Sequence, residues 1–421
     1  MARVLDVYLY DTLAGKLSED MFGYLSFTYG DAYCNQENMP ALSVALPVQA
    51  EPFHGTAVKT YFSALLPDGK TREQLARSLN ISDENVFDLL EKLGGECAGA
   101  VSFHPEGKIP PEQQKTDALI LDDQQLQEVF ALLRQRPLLA GIDDMRISLS
   151  GHQSKLSISV LNNKIALVRG ATPTTHILKP MSTLLNDSVH NEFFCTRLAK
   201  AMKIDVPQTE LRNFGNTSCL LIERYDRVCD PSGIIKRYHQ ENFCQALSTK
   251  EEDIHDRSRG PRVNDCLKLL QKYSTKPAMD SLAFIKRIIF NYLIGNAHAY
   301  ATKFSLLHKE NDIILAPACG IFCTAVYPHL STKMAMKIAD THNYDSVSLE
   351  HWHSLMPNTI AAKRNIEKQL VQMSSECLEK AKTLKLKLQT AGIESPLFDV
   401  ICHVIKTRGE HIQISMKGIN V

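Results

Sequence analysis

A lysine at the end of a predicted strand is the residue in this chain best placed for chemistry on phosphate groups. Residues Thr175 to Leu178 alternate in a way that favours a short strand, and Lys179 follows directly before Pro180. A lysine ammonium is a compact charge that can pair with phosphate oxygens. A lysine at a strand end is also often simply solvated, so Lys179 alone does not decide between these two interpretations.

Two other segments carry polar groups that could act beside such a lysine. The turn from Arg146 to Leu156 contains Gly151 among serines and ends near Lys155, but a single glycine also suits an ordinary turn between strands. The second segment, Gly295 to Leu307, contains His298, whose imidazole can accept a proton near neutral pH.

Charge and cysteine content exclude some classes of protein. The chain has 421 residues, with 47 Lys and Arg against 47 Asp and Glu, so no global basic field predicts nucleic-acid binding. Its 11 cysteines are scattered, which favours reduced thiols in a cytoplasmic protein over a disulfide framework. Cys319 and Cys323 form the only close pair; they are interpreted either as part of a metal site or as small buried hydrophobes.

No segment of the sequence predicts a membrane span or a signal peptide. The first eleven residues include Asp6 and Asp11 and no small-residue cleavage site. The most apolar helical run, Phe284 to Ile294, is short and contains Lys286 and Arg287, whereas a span needs about twenty apolar residues. We therefore expect a cytoplasmic protein that does not contact the membrane.

The elements that must position these residues change character along the chain. The first fifty residues alternate like an antiparallel sheet, with Gly15 and Gly30 near its breaks, and a capping-box spacing at Thr71 to Gln74 predicts the start of a helix. A second helix ends at Gly94. After strands between Arg146 and Lys179, helices dominate, notably at Ser281 to Ile294 and Ile360 to Gln389.

The polar segments named above resemble motifs of the HipA family of bacterial toxin kinases. Gly295 to Leu307 is similar to that family's catalytic loop, roughly G-N-A-D-x-H-x-K-N-F-S-L-L, with His298 at the position of the catalytic aspartate and Lys303 at that of the metal-binding asparagine. Leu315 to Ile321 resembles the family's L-x-P-x-Y-D-[IL], with Gly320 in place of the second metal-ligand aspartate.

The resemblance extends over nearly the whole chain and implies a nucleotide site. It places a phosphate loop at 146–156, a strand lysine at Lys179, and an adenine-binding hinge at the E-R-[FY]-D-R motif. It implies autophosphorylation at Ser148. The implied ATP-binding residues are Ser150, Gly151, His152, Gln153, Ser154, Lys155, Lys179, Glu223, Arg224 and Tyr225, with Glu192, Asp226 and Asn242 in support. Asn242 stands where the family has an aspartate.

The fold implied by this resemblance is α+β, a two-lobed protein-kinase-like (HipA-like) fold with a small N-terminal β/α subdomain and a helical C-terminal lobe. The expected divisions are an N-terminal subdomain at 1–104, a connector with a helix at 105–145, a nucleotide-binding region at 146–240, and a helical lobe at 241–421. The implied cofactors are ATP and Mg²⁺. The implied partners are a helix-turn-helix antitoxin of HipB type, operator DNA through that antitoxin, and, in active relatives, a protein substrate of the translation machinery.

The three replaced positions leave three functional interpretations open. Lys303 and Gly320 lack oxygen donors for Mg²⁺, and His298 lacks the carboxylate's negative charge. The first interpretation is a HipA-like serine/threonine-protein kinase toxin with impaired catalysis. The second is a pseudokinase that acts only by binding an antitoxin or another regulatory partner. The third is an active kinase with an atypical site.

Overall fold

The chain forms two compact units in a computed structural model that describes residues 3–108, 118–140, 148–150, 153–168, 173–215, 217–230 and 234–417. The first unit comprises Met1–Pro180, Arg212–Glu251 and Leu307–Asp312. The second unit comprises Met181–Leu211, Glu252–Leu306 and Ile313–Val421.

The strands within the described ranges are β1 (Arg3–Leu9), β2 (Thr12–Glu19), β3 (Leu25–Tyr29), β4 (Phe53–His54), β5 (Val101–Pro105), β6 (Ala118–Ile120), β7 (Leu156–Leu161), β8 (Lys164–Val168), β9 (His176–Pro180), β10 (Thr209–Phe214), β11 (Thr217–Glu223), β12 (Arg227–Cys229), β13 (Ile235–Arg237), β14 (His239–Asn242), β15 (Ser305–Lys309) and β16 (Asp312–Leu315).

The helices in the same ranges are α1 (Asp31–Cys34), α2 (Thr56–Ser63), α3 (Gly69–Leu79), α4 (Val86–Leu93), α5 (Asp123–Gln135), α6 (Ser188–Ala201), α7 (Phe243–Ala246), α8 (Val263–Tyr273), α9 (Pro277–Leu293), α10 (Leu349–His353), α11 (Ile360–Thr390) and α12 (Leu397–Lys417).

The first sheet has the order β4-β3-β2-β1-β5 and confirms the antiparallel sheet predicted from the alternation. The expectation that Gly15 marks a break is wrong, because Gly15 lies inside β2 opposite a register shift in β1. A Cβ atom there would lie 2.2 Å from the carbonyl oxygen of Thr28. The actual turn is at Tyr10 and Asp11, where Tyr10 has a φ of 56°.

The two helices after this sheet begin at different residues from those the sequence indicates. The capping box predicted at Thr71 is wrong, since α3 already starts at Gly69 after an extended Asp68. The next helix, α4, starts after Asn85, whose side chain accepts a hydrogen bond from the backbone N–H of Asp88 at 2.9 Å. The predicted end of α4 at Gly94 is confirmed.

The second sheet has the order β10-β11-β9-β7-β8-β6 and shares a core with the first. One apolar cluster of buried residues runs from Leu5 and Phe27 in the first sheet, through Phe130 on α5, to Leu156 and Leu178 in the second sheet. This core covers the face of the second sheet that carries Leu156 and Leu178. A third sheet has the order β14-β15-β16, of which β14 and residues 307–312 belong to the first unit.

Four buried charged side chains attach residues 96–99 to the second sheet. In this ion cluster, defined as Glu96, Arg224, Asp226 and Arg227, both arginines contact Oε1 of Glu96 at 3.1 Å. The same arginines contact Oδ2 of Asp226 at 2.8 and 3.0 Å. All four side chains are buried. Because charges leave water only at a large cost, each must keep its opposite partner.

Backbone groups complete the ion cluster. The carbonyl oxygen of Cys97 accepts hydrogen bonds from Arg224 and Arg227, each at 3.1 Å, and the N–H of Gly99 donates to Asp226 at 2.8 Å. Burial alone would raise the pKa of Asp226, but the two arginines outweigh it and hold the pKa of this carboxyl well below its usual range. The carboxylate is therefore ionised at neutral pH.

A neutral buried histidine lies next to this cluster in the first unit. Nε2 of His239 lies 2.8 Å from the carbonyl oxygen of Leu42, and Nδ1 accepts a 3.4 Å hydrogen bond from the N–H of Ala100. This pairing requires the tautomer that carries its proton on Nε2. Burial, together with the ring of His308 at 5.1 Å, lowers the pKa of His239 to about 3.

The second unit consists mainly of helices. Helix α11 packs against α6, α9 and α12, and α8 packs against α9. The predicted long helices correspond to α9 and α11, which confirms their existence and nearly their bounds. Among the described residues, no helix is long and apolar enough to cross a membrane.

We predict that Glu96→Gln lowers the free energy of unfolding by about 3 kcal/mol, because it leaves two buried arginines with one carboxylate. Urea denaturation at neutral pH measures this change. The matched control is Lys16→Met, which breaks an ion pair with Glu106 whose side chains are about half exposed. It should change stability by less than about 1 kcal/mol. Equal effects of the two variants would contradict the assigned role of the cluster.

We also predict that His239 makes stability depend on pH. Between about 3 and 6.5 the unfolded side chain binds a proton that the folded one does not, so stability falls as pH drops below 6.5. Between pH 7.5 and 5.0 this term amounts to about 2 kcal/mol. His239→Gln should lose correspondingly less stability over that range in urea titrations. The same pH slope in both proteins would refute the neutral buried imidazole.

Candidate functional site

The loop that follows α9 has a backbone conformation set by a glycine. Gly295 has a φ of 68°, and a Cβ atom there would lie 2.8 Å from Cβ of Ala325 and 2.9 Å from Cγ1 of Val404. Any other residue would meet both steric and conformational strain. The close approach fixes the direction in which the chain leaves α9.

Buried polar side chains hold the rest of this loop. Thr324 Oγ1 accepts a hydrogen bond from the N–H of Ala297 at 2.7 Å and donates to the carbonyl oxygen of Gly295 at 2.9 Å. Asn296 donates to the side chain of Asn291 at 2.8 Å and accepts from the N–H of His298 at 3.0 Å. The backbone around His298 is therefore ordered by residues other than those at the catalytic positions.

Thr324 and its neighbour Cys323 are in turn tied to α6. Asn191 accepts from the N–H of Cys323 at 2.8 Å and donates to its carbonyl oxygen at 2.9 Å. We did not identify Thr324, Asn291 or Asn191 as site residues from the sequence. The available signal was a set of short polar residues within apolar helical or loop segments, which indicates buried hydrogen bonds.

His298 lies among aromatic rings. Its ring is partly buried, with centroids 6.0 Å from Phe322 in an edge-on arrangement and 6.2 Å from Tyr300. Tyr300 also contacts His255 edge-on at 5.0 Å and lies under the guanidinium of Arg257 at 5.7 Å. The loop thus offers an imidazole at the base position, with aromatic rather than acidic neighbours among these contacts.

The two residues at the family's metal-ligand positions lie side by side. A Cβ atom placed on Gly320 would lie 3.7 Å from Cδ of Lys303. One position therefore supplies an ammonium group and the other supplies no side chain. Mg²⁺ requires oxygen ligands, so the side chains at these two positions do not fit this ion. Within the described ranges, no group of three or more His, Cys, Asp or Glu is arranged to hold a metal.

The two members of the cysteine pair near Gly320 differ in burial. Cys323 is fully buried, and burial raises the pKa of its thiol to about 12. Cys319 is partly buried. A thiol with a raised pKa is a poor metal ligand because the thiolate is the form that binds.

In the first unit, one face of the second sheet collects the residues predicted to meet phosphates. The register pairs Leu156 with Leu178 and Ser157 with Ile177, and the alternation of side chains puts Lys179, and Lys155 just before β7, on the same face as Ser157. Ser159 lies two residues further along that face. Both serines are buried, and their hydroxyl oxygens have no hydrogen-bond partner among the described residues.

The phosphate loop is described only in part. Gly151 and His152 lie outside the described residues, and Gln153 and Ser154 lead into β7. Lys155 is buried and donates through Nζ to the carbonyl oxygen of Ser150. Ser148 is fully buried, and its hydroxyl donates to the carbonyl oxygen of Leu65 at 2.7 Å. In this conformation the predicted phosphorylation site is enclosed.

The predicted hinge lies at the end of β11, and its side chains are partly exposed to solvent and partly buried in the ion cluster. Glu223 is exposed, while the side chains of Arg224 and Asp226 belong to the ion cluster. The N–H of Arg224 donates to the carbonyl oxygen of Thr175 at 2.9 Å. Tyr225 is partly buried, with its hydroxyl bonded to Gln240 at 2.5 Å. Any contact of Arg224 with a nucleotide must therefore use its carbonyl group.

The two supporting residues that remain occupy separate settings. Glu192 lies buried on α6 of the second unit. Asn242 begins α7, where its side chain accepts from the N–H of Gln245 at 3.0 Å, while Gln245 accepts from the N–H of Asn242 at 2.8 Å. Since Asn and Asp cap helices about equally well, replacing the family's aspartate preserves this function.

Comparisons with known proteins agree along the chain. Residues 5–104 match the HipA N-terminal domain, and residues 147–383 match the HipA-like C-terminal domain. Y4mE of Sinorhizobium fredii is 37% identical over 358 residues, covering 84% of each protein. The serine/threonine-protein kinase toxin HipA of Shewanella oneidensis is 28% identical over 82% of this chain and 80% of its own length.

A solved structure shows the same fold. HipA of Shewanella oneidensis MR-1, in a complex with HipB and operator DNA, superposes with a TM-score of 0.79 at 22% identity, covering 98% of this chain and 96% of that one. The chain therefore has the mixed α and β, kinase-like HipA fold. On the two domain matches and the 37% identical relative, the chain belongs to the HipA family.

Proposed function

We propose that this chain is a HipA-like serine/threonine-protein kinase toxin of a toxin–antitoxin module whose phosphoryl transfer is strongly impaired. The proposal rests chiefly on the adjacent positions of Lys303 and Gly320. Kinases neutralise the transferring phosphoryl group with metal ions held at these places. Here an ammonium takes one of them and repels a divalent cation, so the principal electrostatic contribution to catalysis is missing.

The base position adds to the impairment. An imidazole at His298 can take a proton, but it does not bring the negative charge of a carboxylate. Loss of an effective general base alone slows reactions by about 10² to 10⁴-fold. Together with the missing metal ligands, this predicts catalysis far below that of an intact family member.

ATP binding is supported by different residues from those that are lost. Lys155 and Lys179 belong to adjacent segments on the sheet face that also carries two buried serine hydroxyls. Two ammonium groups on one face suit a polyphosphate without requiring a metal. The proposed ligand is therefore ATP, with Mg²⁺ held weakly or not at all.

The proposed partner is a helix-turn-helix antitoxin of HipB type, through which the complex would bind operator DNA. The support is the Shewanella oneidensis complex, whose HipA is bound to HipB and operator DNA. A substrate in the translation machinery is proposed only for a form that retains activity. The proposed location is the cytoplasm.

A pseudokinase that acts only by binding is the alternative favoured by the same two residues. In it, the antitoxin interaction remains and phosphoryl transfer has no role. An active kinase with an atypical site is the third candidate, and it requires oxygen donors for Mg²⁺ from other residues.

We predict that phosphoryl transfer by the purified chain is at least about 10³-fold slower than by an intact family member. Transfer of labelled phosphate from ATP measures it, with mass spectrometry at Ser148 as a second readout. Turnover at an ordinary kinase rate of about 1 to 100 per second would sink the proposal.

Restoring the family residues tests the cause of the loss. His298→Asp alone should not recover activity, because the metal positions remain unsuitable. The triple variant with Lys303→Asn and Gly320→Asp should raise the rate by about 10² or more. The added side chain fits, since its Cβ would make only a 3.7 Å contact and aspartate tolerates a positive φ better than most residues. Unchanged rates in a folded triple variant would exclude these positions as the cause.

We predict that ATP binds with an affinity that Mg²⁺ changes by less than about threefold, because the side chains at the two ligand positions do not hold the ion. Calorimetry with and without Mg²⁺ measures this. Lys179→Ala should weaken the binding, and exposed Lys387→Ala serves as the control. A large gain with Mg²⁺ would favour the atypical active kinase, and no ATP binding at all would favour the binding-only alternative.

A further inference from the structure

A cavity of about 520 Å³ lies beside α6, α9 and α11 in the second unit. None of its lining residues belongs to the loop at 295–307. Met202 and Lys203 contribute from the end of α6, Lys286 from α9, and Met373, Glu376 and Lys380 from α11. The volume falls within the range of about 300 to 1,000 Å³ that small-molecule sites occupy.

Three ammonium groups converge on this cavity. Lys380 pairs with Glu376 at 2.7 Å, and Gln372 also donates to Glu376 at 2.6 Å. Glu379 is the second carboxylate of the lining, so the lysines exceed the carboxylates by one. The pKa of Lys286 is lowered mainly by burial, and to a smaller extent by the positive charges of Lys380 and Lys203. The lining therefore favours an added anion.

We propose that this cavity binds a phosphate-bearing small molecule of about nucleotide size. Its phosphate groups contact the ammonium groups of Lys203, Lys286 and Lys380. The thioether side chains of Met202 and Met373 line the same cavity, and such flexible, polarizable groups pack against flat or irregular apolar surfaces. This site is independent of ATP binding at the second sheet and of the proposed loss of catalysis.

The shape favours a small ligand over a nucleic-acid backbone. The lysines come from the segment just after α6, from α9 and from α11, and they line a concavity, whereas contacts to a duplex follow the regular spacing of its phosphates. The experiment includes duplex DNA so that the two sources of phosphate are separated.

Lys286 also has a purely structural contact. Its Nζ donates to the carbonyl oxygen of Lys203 at 3.2 Å, close to the C-terminal end of α6. Substituting Lys286 would therefore confuse binding with helix stability. Lys203 is exposed and Lys380 lies on the side of α11, so these two side chains are better targets.

The test uses the full chain with ¹³C-labelled methionine methyl groups, of which there are 12. Met202→Leu and Met373→Leu assign the two signals of the cavity. Pyrophosphate and a nucleoside diphosphate, titrated separately, should each shift both signals in a saturable way. Equal shifts with chloride at the same concentration, or no shifts up to several millimolar ligand, would overturn the proposal.

Charge variants then locate the site. Lys203→Gln and Lys380→Gln should each weaken the affinity about fivefold, and the double variant by about twentyfold. Lys387→Gln, at an exposed lysine of α11 that does not line the cavity, should leave it unchanged. Unaltered binding in a folded double variant would refute the site. Tighter binding of duplex DNA than of the nucleoside diphosphate at the same methyl signals would also refute it.

Discussion

The first unit depends on a buried ion cluster whose four charged side chains stabilise one another only when all of them are in place. Glu96 comes from the N-terminal 104 residues, whereas Arg224, Asp226 and Arg227 follow β11, so the cluster joins segments more than a hundred residues apart. Each charge has lost its water and is stable only beside its partners. The N-terminal segment and the second sheet must therefore be folded together, as their shared apolar core also requires.

The same cluster determines what the hinge can present to a ligand. Three of its side chains, those of Arg224, Asp226 and Arg227, are paired inside the protein, and the N–H of Arg224 is bonded to the carbonyl oxygen of Thr175. Of the five side chains of the motif, only Glu223 is exposed, and Tyr225 is partly buried. The charged side chains of the E-R-[FY]-D-R motif thus stabilise the fold, because their ion pairs hold the backbone of the motif in place.

In the loop at 295–307, the residues that order the backbone are different from those at the positions that resemble the family's catalytic residues. Gly295, Asn296 and Thr324 hold the loop through a close approach and buried hydrogen bonds. The side chains of His298 and Lys303 are not among the groups that make those hydrogen bonds, although the backbone N–H of His298 donates one of them. The conformation of the loop is therefore compatible with different side chains at positions 298 and 303.

The sequence by itself determined the family, the long helices and the three positions, His298, Lys303 and Gly320, that differ from the family's motifs. These follow from local periodicity and from comparing short motifs residue by residue. Family membership is confirmed along nearly the whole chain, while the division at residues 104, 145 and 240 stays a prediction. Sequence signals failed at the start of α3 and at Gly15, which lies within β2 where a neighbouring strand approaches closely.

Only the tertiary structure decided which polar residues are engaged and which lie together. It paired Leu156 with Leu178 and Ser157 with Ile177, because strand register depends on pairing between distant segments. It brought Lys303 beside Gly320 and enclosed Ser148 under the carbonyl group of Leu65. Desolvation and hydrogen bonding depend on all surrounding atoms, so the order of residues along the chain does not determine them in advance.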